Sequence, residues 1–117
     1  MEYNGETIFS QIVDKKIPAQ IIFENERILA FKDINPKAPH HILIVPKKKL
    51  VGVVEAEDAD RALLGEMVII ARDIAGSLGL AERGFRLVIN SGPEGGQTVA
   101  HLHLHLLGGR ELEWPPG

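Results

Sequence analysis

The run His101-Leu102-His103-Leu104-His105-Leu106-Leu107 constrains the fold more than any other stretch of the chain. Successive side chains of an extended strand point to opposite faces, so the three histidines share one face and Leu102, Leu104 and Leu106 the other. Wound into a helix, the same run would bring His101 near His105, throw His103 to the far side and leave no coherent apolar stripe. The pattern therefore predicts a strand whose leucine face is covered by a helix and whose histidine face is open to chemistry.

The preceding segments supply the rest of such a sheet. Thr7 stands as an N-cap ahead of Ile8, Phe9, Ile12 and Val13 at helical spacing, which predicts a short helix stopped before Pro18. Ile21-Ile22-Phe23 and Ile28-Leu29-Ala30-Phe31 are β-rich runs separated by polar residues 24 to 27, the pattern of a hairpin. The stretch from His40 to Pro46 is nearly all apolar after its histidines and reads as a central strand. Lys47-Lys48-Lys49 reads as a solvated connection, with a phosphate-steering patch as the alternative.

Glu57 to Leu78 is the strongest helical segment, with Leu63, Leu64, Met67, Val68, Ile70, Ala71, Ile74 and Leu78 on one broad stripe. Glu57, Asp58 and Asp60 suit its N-terminal dipole, and Gly79 is its stop. Phe85 to Asn90 predicts a further strand, and the glycine-rich loop Ser91 to Thr98 leads from it into the histidine strand. Together these elements predict an α+β fold: a mainly antiparallel sheet of about five strands, one short N-terminal helix and one long helix. No internal repeat or linker divides the chain, and 117 residues suit one domain spanning residues 1–117.

Composition narrows the chemistry. The chain has no cysteine, which removes thiol catalysis, disulfides and thiolate metal sites and leaves His, Asp and Glu as ligands. A net charge of −3 argues against a nucleic-acid polymer as partner, but not against a small phosphate ligand. No apolar run approaches the roughly 20 residues of a membrane span, and Met1-Glu2-Tyr3-Asn4-Gly5-Glu6 lacks the features of a leader, so a cytoplasmic location is expected.

Three readings of the alternating histidines stand side by side. The first is a metal site. Residues two apart on a strand are roughly 6.6 Å apart, against Zn–N bonds of about 2.0 Å, so one flat strand cannot bring all three to one ion without strain. Two of them with His41 form the metal alternative. The second is a solvated histidine face without chemistry. The third is acid–base or nucleophilic chemistry on a phosphate, for which a neutral imidazole serves well once a hydrogen bond fixes its tautomer. The middle histidine is best placed, and the Gly95-Gly96 backbone can turn N–H groups toward an anion.

His101-Leu-His-Leu-His-Leu-Leu107 resembles the histidine triad signature, and the chain is similar to the Hint branch of the HIT superfamily. Thr7-Ile-Phe, Lys16-Ile-Pro-Ala19, Phe31-Lys-Asp-Ile34, Ala38-Pro-His-His41, Pro46-Lys-Lys48, Gly95-Gly-Gln97, Gly108-Gly-Arg110 and Trp114-Pro-Pro-Gly117 extend the resemblance over nearly the whole chain. It implies a single HIT domain with a HIT-like fold in a two-fold homodimer. It also implies purine nucleoside monophosphate binding and hydrolysis of nucleoside 5'-phosphoramidates with no metal or other cofactor.

By position, the resemblance makes His103 the nucleophile, His101 a supporting member of the triad, His105 a phosphate contact and His41 an additional histidine beside them. His40 is expected to be exposed. Asn90, Gly96 and Thr98 match phosphate-contacting positions. Asp33 matches the carboxylate that takes the ribose hydroxyls, and Phe9, Phe31, Ile34 and Leu43 match an apolar base slot. Ordinary core is the competing explanation for Phe9 and Leu43. Trp114 is expected to dock, which the resemblance places near the dimer interface. Alternatives to the hydrolase are a nucleotide-binding regulator or scaffold with residual hydrolysis and a dinucleoside polyphosphate hydrolase of the Fhit-like branch.

Overall fold

The computed structural model describes residues 5–117. The reading of Met1-Glu2-Tyr3-Asn4 as part of no leader lies outside them. Helix α1 (Ile8–Val13) opens with a reciprocal capping box. Thr7 Oγ1 accepts from the Ser10 N–H at 3.0 Å, and Ser10 Oγ accepts from the Thr7 N–H at 2.8 Å. Strands β1 (Ile21–Glu24) and β2 (Ile28–Lys32) form the expected hairpin, and β3 (His40–Pro46) follows. Asn25 Oδ1 closes the hairpin turn by accepting from the N–H groups of Arg27 and Ile28.

The long helix α2 (Arg61–Ser77) is preceded by a 3₁₀ turn over Asp58–Asp60, so the helical segment that the sequence predicts from Glu57 becomes α-helical only at Arg61. Asp60 explains the difference. Its buried carboxylate accepts from the Glu57 N–H at 2.9 Å and pairs with Lys48 at 2.7 Å, which tightens the first turn. Lys47 likewise pairs with Glu24 and Lys49 with Asp14, so all three lysines expected to be merely solvated carry ion pairs. Leu63, Met67, Ile70, Ala71 and Ile74 are buried as the periodicity predicts, whereas Val68 is exposed and Leu78 falls just beyond the helix. A short α3 (Leu80–Arg83), too brief to show a period, was not legible; it leads into β4 (Phe85–Val88).

The sheet order is β1-β2-β3-β5-β4, with every pairing antiparallel and β3 central as expected. Strand alternation sorts the apolar residues into two layers. Ile28, Ala30, Ile42, Ile44, Leu104 and Leu106 face α2, while Leu29, Phe31, Leu43 and Val45 face α1. Among the described residues no helix is long and apolar enough to cross a membrane.

Strand β5 (Leu104–Gly108) begins three residues later than the histidine pattern predicts. Continuing its register, in which Ile44 pairs with Leu104, would set Leu102 opposite Pro46, which has no N–H to share. The Leu102 N–H donates instead to Leu50 O at 2.7 Å, and the His103 ring turns back to the His101 carbonyl. The fourth strand stops at Val88 rather than Asn90: its partner β5 begins at Leu104, so in this register no strand residue stands opposite Asn90. Within one chain Trp114 is 82% exposed, and the tail is held through the carbonyls of Leu112 and Glu113, which accept from Arg86.

Candidate active site

His41 on β3 and His105 on β5 lie on the α1 side of the sheet, where Leu43 is paired with His105. His103 sits one step before β5 on the same side. Its ring meets Phe9 of α1 edge-on at 4.9 Å and His105 at 4.9 Å, and Phe9 in turn meets Phe31 at 5.6 Å. Leucine–histidine alternation thus does what the sequence implies: Leu102, Leu104 and Leu106 enter the core under α2 while His103 and His105 turn to the other face. His40 is half-buried rather than exposed.

Hydrogen bonds fix the tautomer of each buried ring. The His101 Nε2–H donates to Pro46 O at 2.8 Å, leaving Nδ1 bare and without a partner among the described residues. The His103 Nδ1–H donates to His101 O at 2.7 Å, so the lone pair lies on Nε2. The Lys37 N–H donates to His41 Nδ1 at 3.0 Å, which puts the His41 proton on Nε2. That proton is given to His105 Nδ1 at 2.9 Å. His105 therefore carries its own proton on Nε2, a buried donor with no partner among the described residues. The result is one bare nitrogen on His103 beside one N–H on His105. Sequence reasoning missed the two groups behind this chain: Lys37, through its backbone, and Arg110, which donates to Lys37 O at 3.0 Å.

Burial is the leading cause that holds His41, His101, His103 and His105 below the ordinary histidine value, favouring neutral rings. His105 is pushed down to about 4 by burial and then by the neighbouring His103 and His41, against the opposing pull of Asp33. In the unfolded chain these rings titrate near 6.5, so in weak acid the unfolded state binds more protons than the folded one. Their contribution is fully present above about pH 6.5 and is lost as pH falls through the lowered values. His105 alone should remove about 3 kcal/mol of stability by pH 4. Melting followed by circular dichroism between pH 7.5 and 4 should show a steadily falling Tm, and a flat profile would contradict this arrangement.

An apolar cleft of about 200 Å³ adjoins the histidines. Phe9, Phe31, Leu43 and Ile34, the four residues of the predicted slot, line it together with Asp33. Ile34 is 90% exposed, an apolar side chain left at the mouth. Ile8, Ile12, Ile17, Pro18 and Ala19 also line the cleft and were not singled out from the sequence, although Lys16-Ile-Pro-Ala19 carries three of them. Asp33 accepts from the Asn35 N–H at 2.8 Å, and its other oxygen stands 3.5 Å from His41 Nε2.

The glycine loop is shaped differently from an open cradle of N–H groups. The Gly96 N–H donates to Pro93 O at 3.1 Å and the Gln97 N–H to Gly92 O at 3.0 Å, so the turn engages both. Gly95 is needed for closure, since a Cβ there would stand 2.4 Å from Ser91 O, and Gly96 adopts a φ of 81°. The side chains of Asn90 and Thr98 make no hydrogen bond among the described residues, which leaves an amide and a hydroxyl for an anion. Val99, at the loop's end, packs against the Phe9 and Phe31 cluster and ties the loop to the cleft.

Asp33, His41 and His105 each offer a ligand atom within 4.8 Å of the others, a spacing that could hold a metal ion. The donor chemistry does not fit. A metal on His41 Nε2 needs that nitrogen bare and moves the proton to Nδ1, where it would oppose the Lys37 N–H.

The fold and site define a small α+β protein whose antiparallel sheet presents neutral, tautomer-fixed histidines beside an apolar cleft and a glycine loop. Residues 14–112 match the HIT domain family, and the chain belongs to it. It is 54% identical over 112 residues to an uncharacterised HIT-like protein of Synechocystis, covering 96% of this chain and 97% of that one. It is 51% identical over 116 residues to a 14 kDa zinc-binding protein of Zea mays, covering 97% and 90%. A HIT family hydrolase from Legionella pneumophila superposes with a TM-score of 0.94 at 48% identity, covering 96% of this chain and all of that one. The fold is thus HIT-like, and the chain is similar to hydrolases of this family.

Proposed function

We propose that this protein is a purine nucleoside phosphoramidase of the Hint type, cleaving the P–N bond between a nucleoside 5'-phosphate and an amine. The observation that carries the reading is the bare Nε2 of His103 with its Nδ1–H anchored on the His101 carbonyl. A neutral imidazole oriented in this way is an activated nucleophile at pH 7. Nε2 attacks the α-phosphorus, the P–N bond breaks with its electron pair going to nitrogen, and the amine leaves after taking up a proton. The ring of the nucleotidyl-His103 intermediate is cationic, and its Nδ1–H bond to His101 O strengthens accordingly. Water then attacks phosphorus, the bond to Nε2 breaks, and a nucleoside monophosphate is released with a proton.

The other groups have roles that follow from their chemistry. The His105 Nε2–H donates to a phosphoryl oxygen as charge develops there, and His41 holds it in that tautomer. His101 supports His103 through its backbone. Asn90 and Thr98 form the phosphate side, with Gly96 holding the turn between them through its N–H bond to Pro93 O, Asp33 accepts from the ribose hydroxyls, and Phe9, Phe31, Ile34 and Leu43 take the base. Steady-state turnover of adenosine 5'-phosphoramidate and of lysyl-AMP is the test. Micromolar AMP binding without turnover would replace the hydrolase with a nucleotide-binding module.

The zinc named for the maize relative is answered by metal analysis of the purified protein, where a stoichiometric ion would overturn the histidine mechanism. The partner we propose is a second copy. Strand β4 is a four-residue edge strand, and Phe85 on it, Val68 and Ile69 of α2 and the indole of Trp114 are large apolar groups left exposed. Sedimentation should give twice the 12.8 kDa of one chain, and a monomer at micromolar concentration would contradict it.

A further inference from the structure

Gln97 stands apart from the loop that carries it. Gly95, Gly96 and Thr98 are exposed, whereas Gln97 is 6% exposed. Its Oε1 accepts from the Gly92 N–H at 2.9 Å at the start of the loop. Its Nε2 donates to Val99 O at 3.0 Å at the loop's end and to Val51 O at 2.6 Å in the connection that follows β3. One amide thus engages both donor hydrogens and its carbonyl oxygen, joining three backbone points of two separate segments. The Leu102 N–H donates to Leu50 O one residue away, so the loop and the lead-in to His103 are fastened to the same connection. Gly52 gives the amide its room, since a Cβ there would lie 3.2 Å from Oε1.

Two facts make this more than glue. The loop's own N–H groups at Gly96 and Gln97 are engaged in its turn, so its shape is set internally and its placement depends on the Gln97 amide. Thr98 follows Gln97 directly and is turned outward where Gln97 is turned inward, with its hydroxyl unengaged among the described residues. We propose that Gln97 is a positioning residue for phosphate recognition: its amide sets where the loop presents Thr98 and Asn90 to the nucleotide phosphate. The inference rests on the proposed function in that it takes this loop as the phosphate side of the site. It assigns Gln97 no contact with the substrate.

The test separates phosphate recognition from folding by comparing AMP with adenosine, which lacks the phosphate. Gln97→Asn is one methylene too short to reach all three backbone points. Gln97→Glu keeps the shape and the acceptor but sets a carboxylate against two carbonyls. Gly52→Ala is the milder variant, because its backbone is already extended at φ −162° and the added Cβ displaces the amide without removing it. Calorimetric titration at 15 °C, with the fold checked by circular dichroism, is expected to show AMP affinity lowered about tenfold or more in the Gln97 variants and less in Gly52→Ala. Adenosine affinity is expected to stay within about twofold of the parent. Equal losses for AMP and adenosine, or unchanged AMP affinity, overturn the inference; if the Gln97 variants do not fold, Gly52→Ala decides by the same criterion. Turnover by the parent protein tests the phosphoramidase separately, so either conclusion can fail without the other.

Discussion

Replacing His103 by alanine is expected to lower turnover of adenosine 5'-phosphoramidate by at least about 10⁴-fold while AMP binding stays within a few-fold of the parent. The asymmetry comes from where the ring sits. Its Nε2 is the nitrogen left bare for the phosphorus, whereas the cleft that takes the base is lined by Phe9, Phe31 and Leu43. The fold should survive, because the substitution removes one hydrogen bond and one edge-on ring contact, leaving the His101 carbonyl without its donor at a cost of about 1–3 kcal/mol. Rapid alkaline quench of the parent with labelled substrate should trap a nucleotidyl adduct that is stable in base, is lost on acidification, and that the variant never forms. His105→Ala, which deletes an N–H donor and leaves the nucleophile, should lose about 10²-fold. Below neutrality kcat/KM should hold until the pH reaches the lowered value of His103, then fall as Nε2 is protonated. Near-parental turnover by His103→Ala would remove this histidine from the chemistry.

Period-two patterning carried most of this architecture into the sequence. The alternation in Leu102 to Leu106 shows which residues enter the core, and the apolar run from Ile42 to Val45 shows a strand covered on both faces. Both are local properties that a one-residue slip would destroy, so they are visible without the partner strands. The chemistry depends on contacts that cross the chain. His41 and His105 are 64 residues apart, and their shared proton exists because β3 and β5 are neighbours in this register. No spacing rule encodes that. The Lys37 N–H, which decides the tautomer of His41, is a backbone group and leaves no mark on residue identity. Gln97 sits in a motif visible in the sequence, yet its role requires knowing that Val51 comes within 2.6 Å. The strand that starts at Leu104 rather than His101 belongs to the same class, since Pro46 limits it from 55 residues away.

The second large effect lies on the opposite side of the sheet, where Leu106→Ala is expected to cost about 3 kcal/mol and lower Tm by about 10 °C. Leu106 is fully buried, pairs across the sheet with Ile42 of β3 and Leu87 of β4, and belongs to the cluster that holds Met67, Ile70 and Ile74 of α2. Truncation leaves a void at the centre of that layer, which neighbours fixed in strands cannot fill. Its neighbour His105 points the other way, toward His41 and His103, so the damage to stability should hardly reach the chemistry. At 15 °C, where the variant is still folded, kcat on adenosine 5'-phosphoramidate should stay within about threefold of the parent. Melting curves and kinetics on the same sample decide the matter: a Tm within 2 °C of the parent, or a collapse of kcat in a protein that is still folded, would show that the two faces of β5 are not the independent layers their alternation implies.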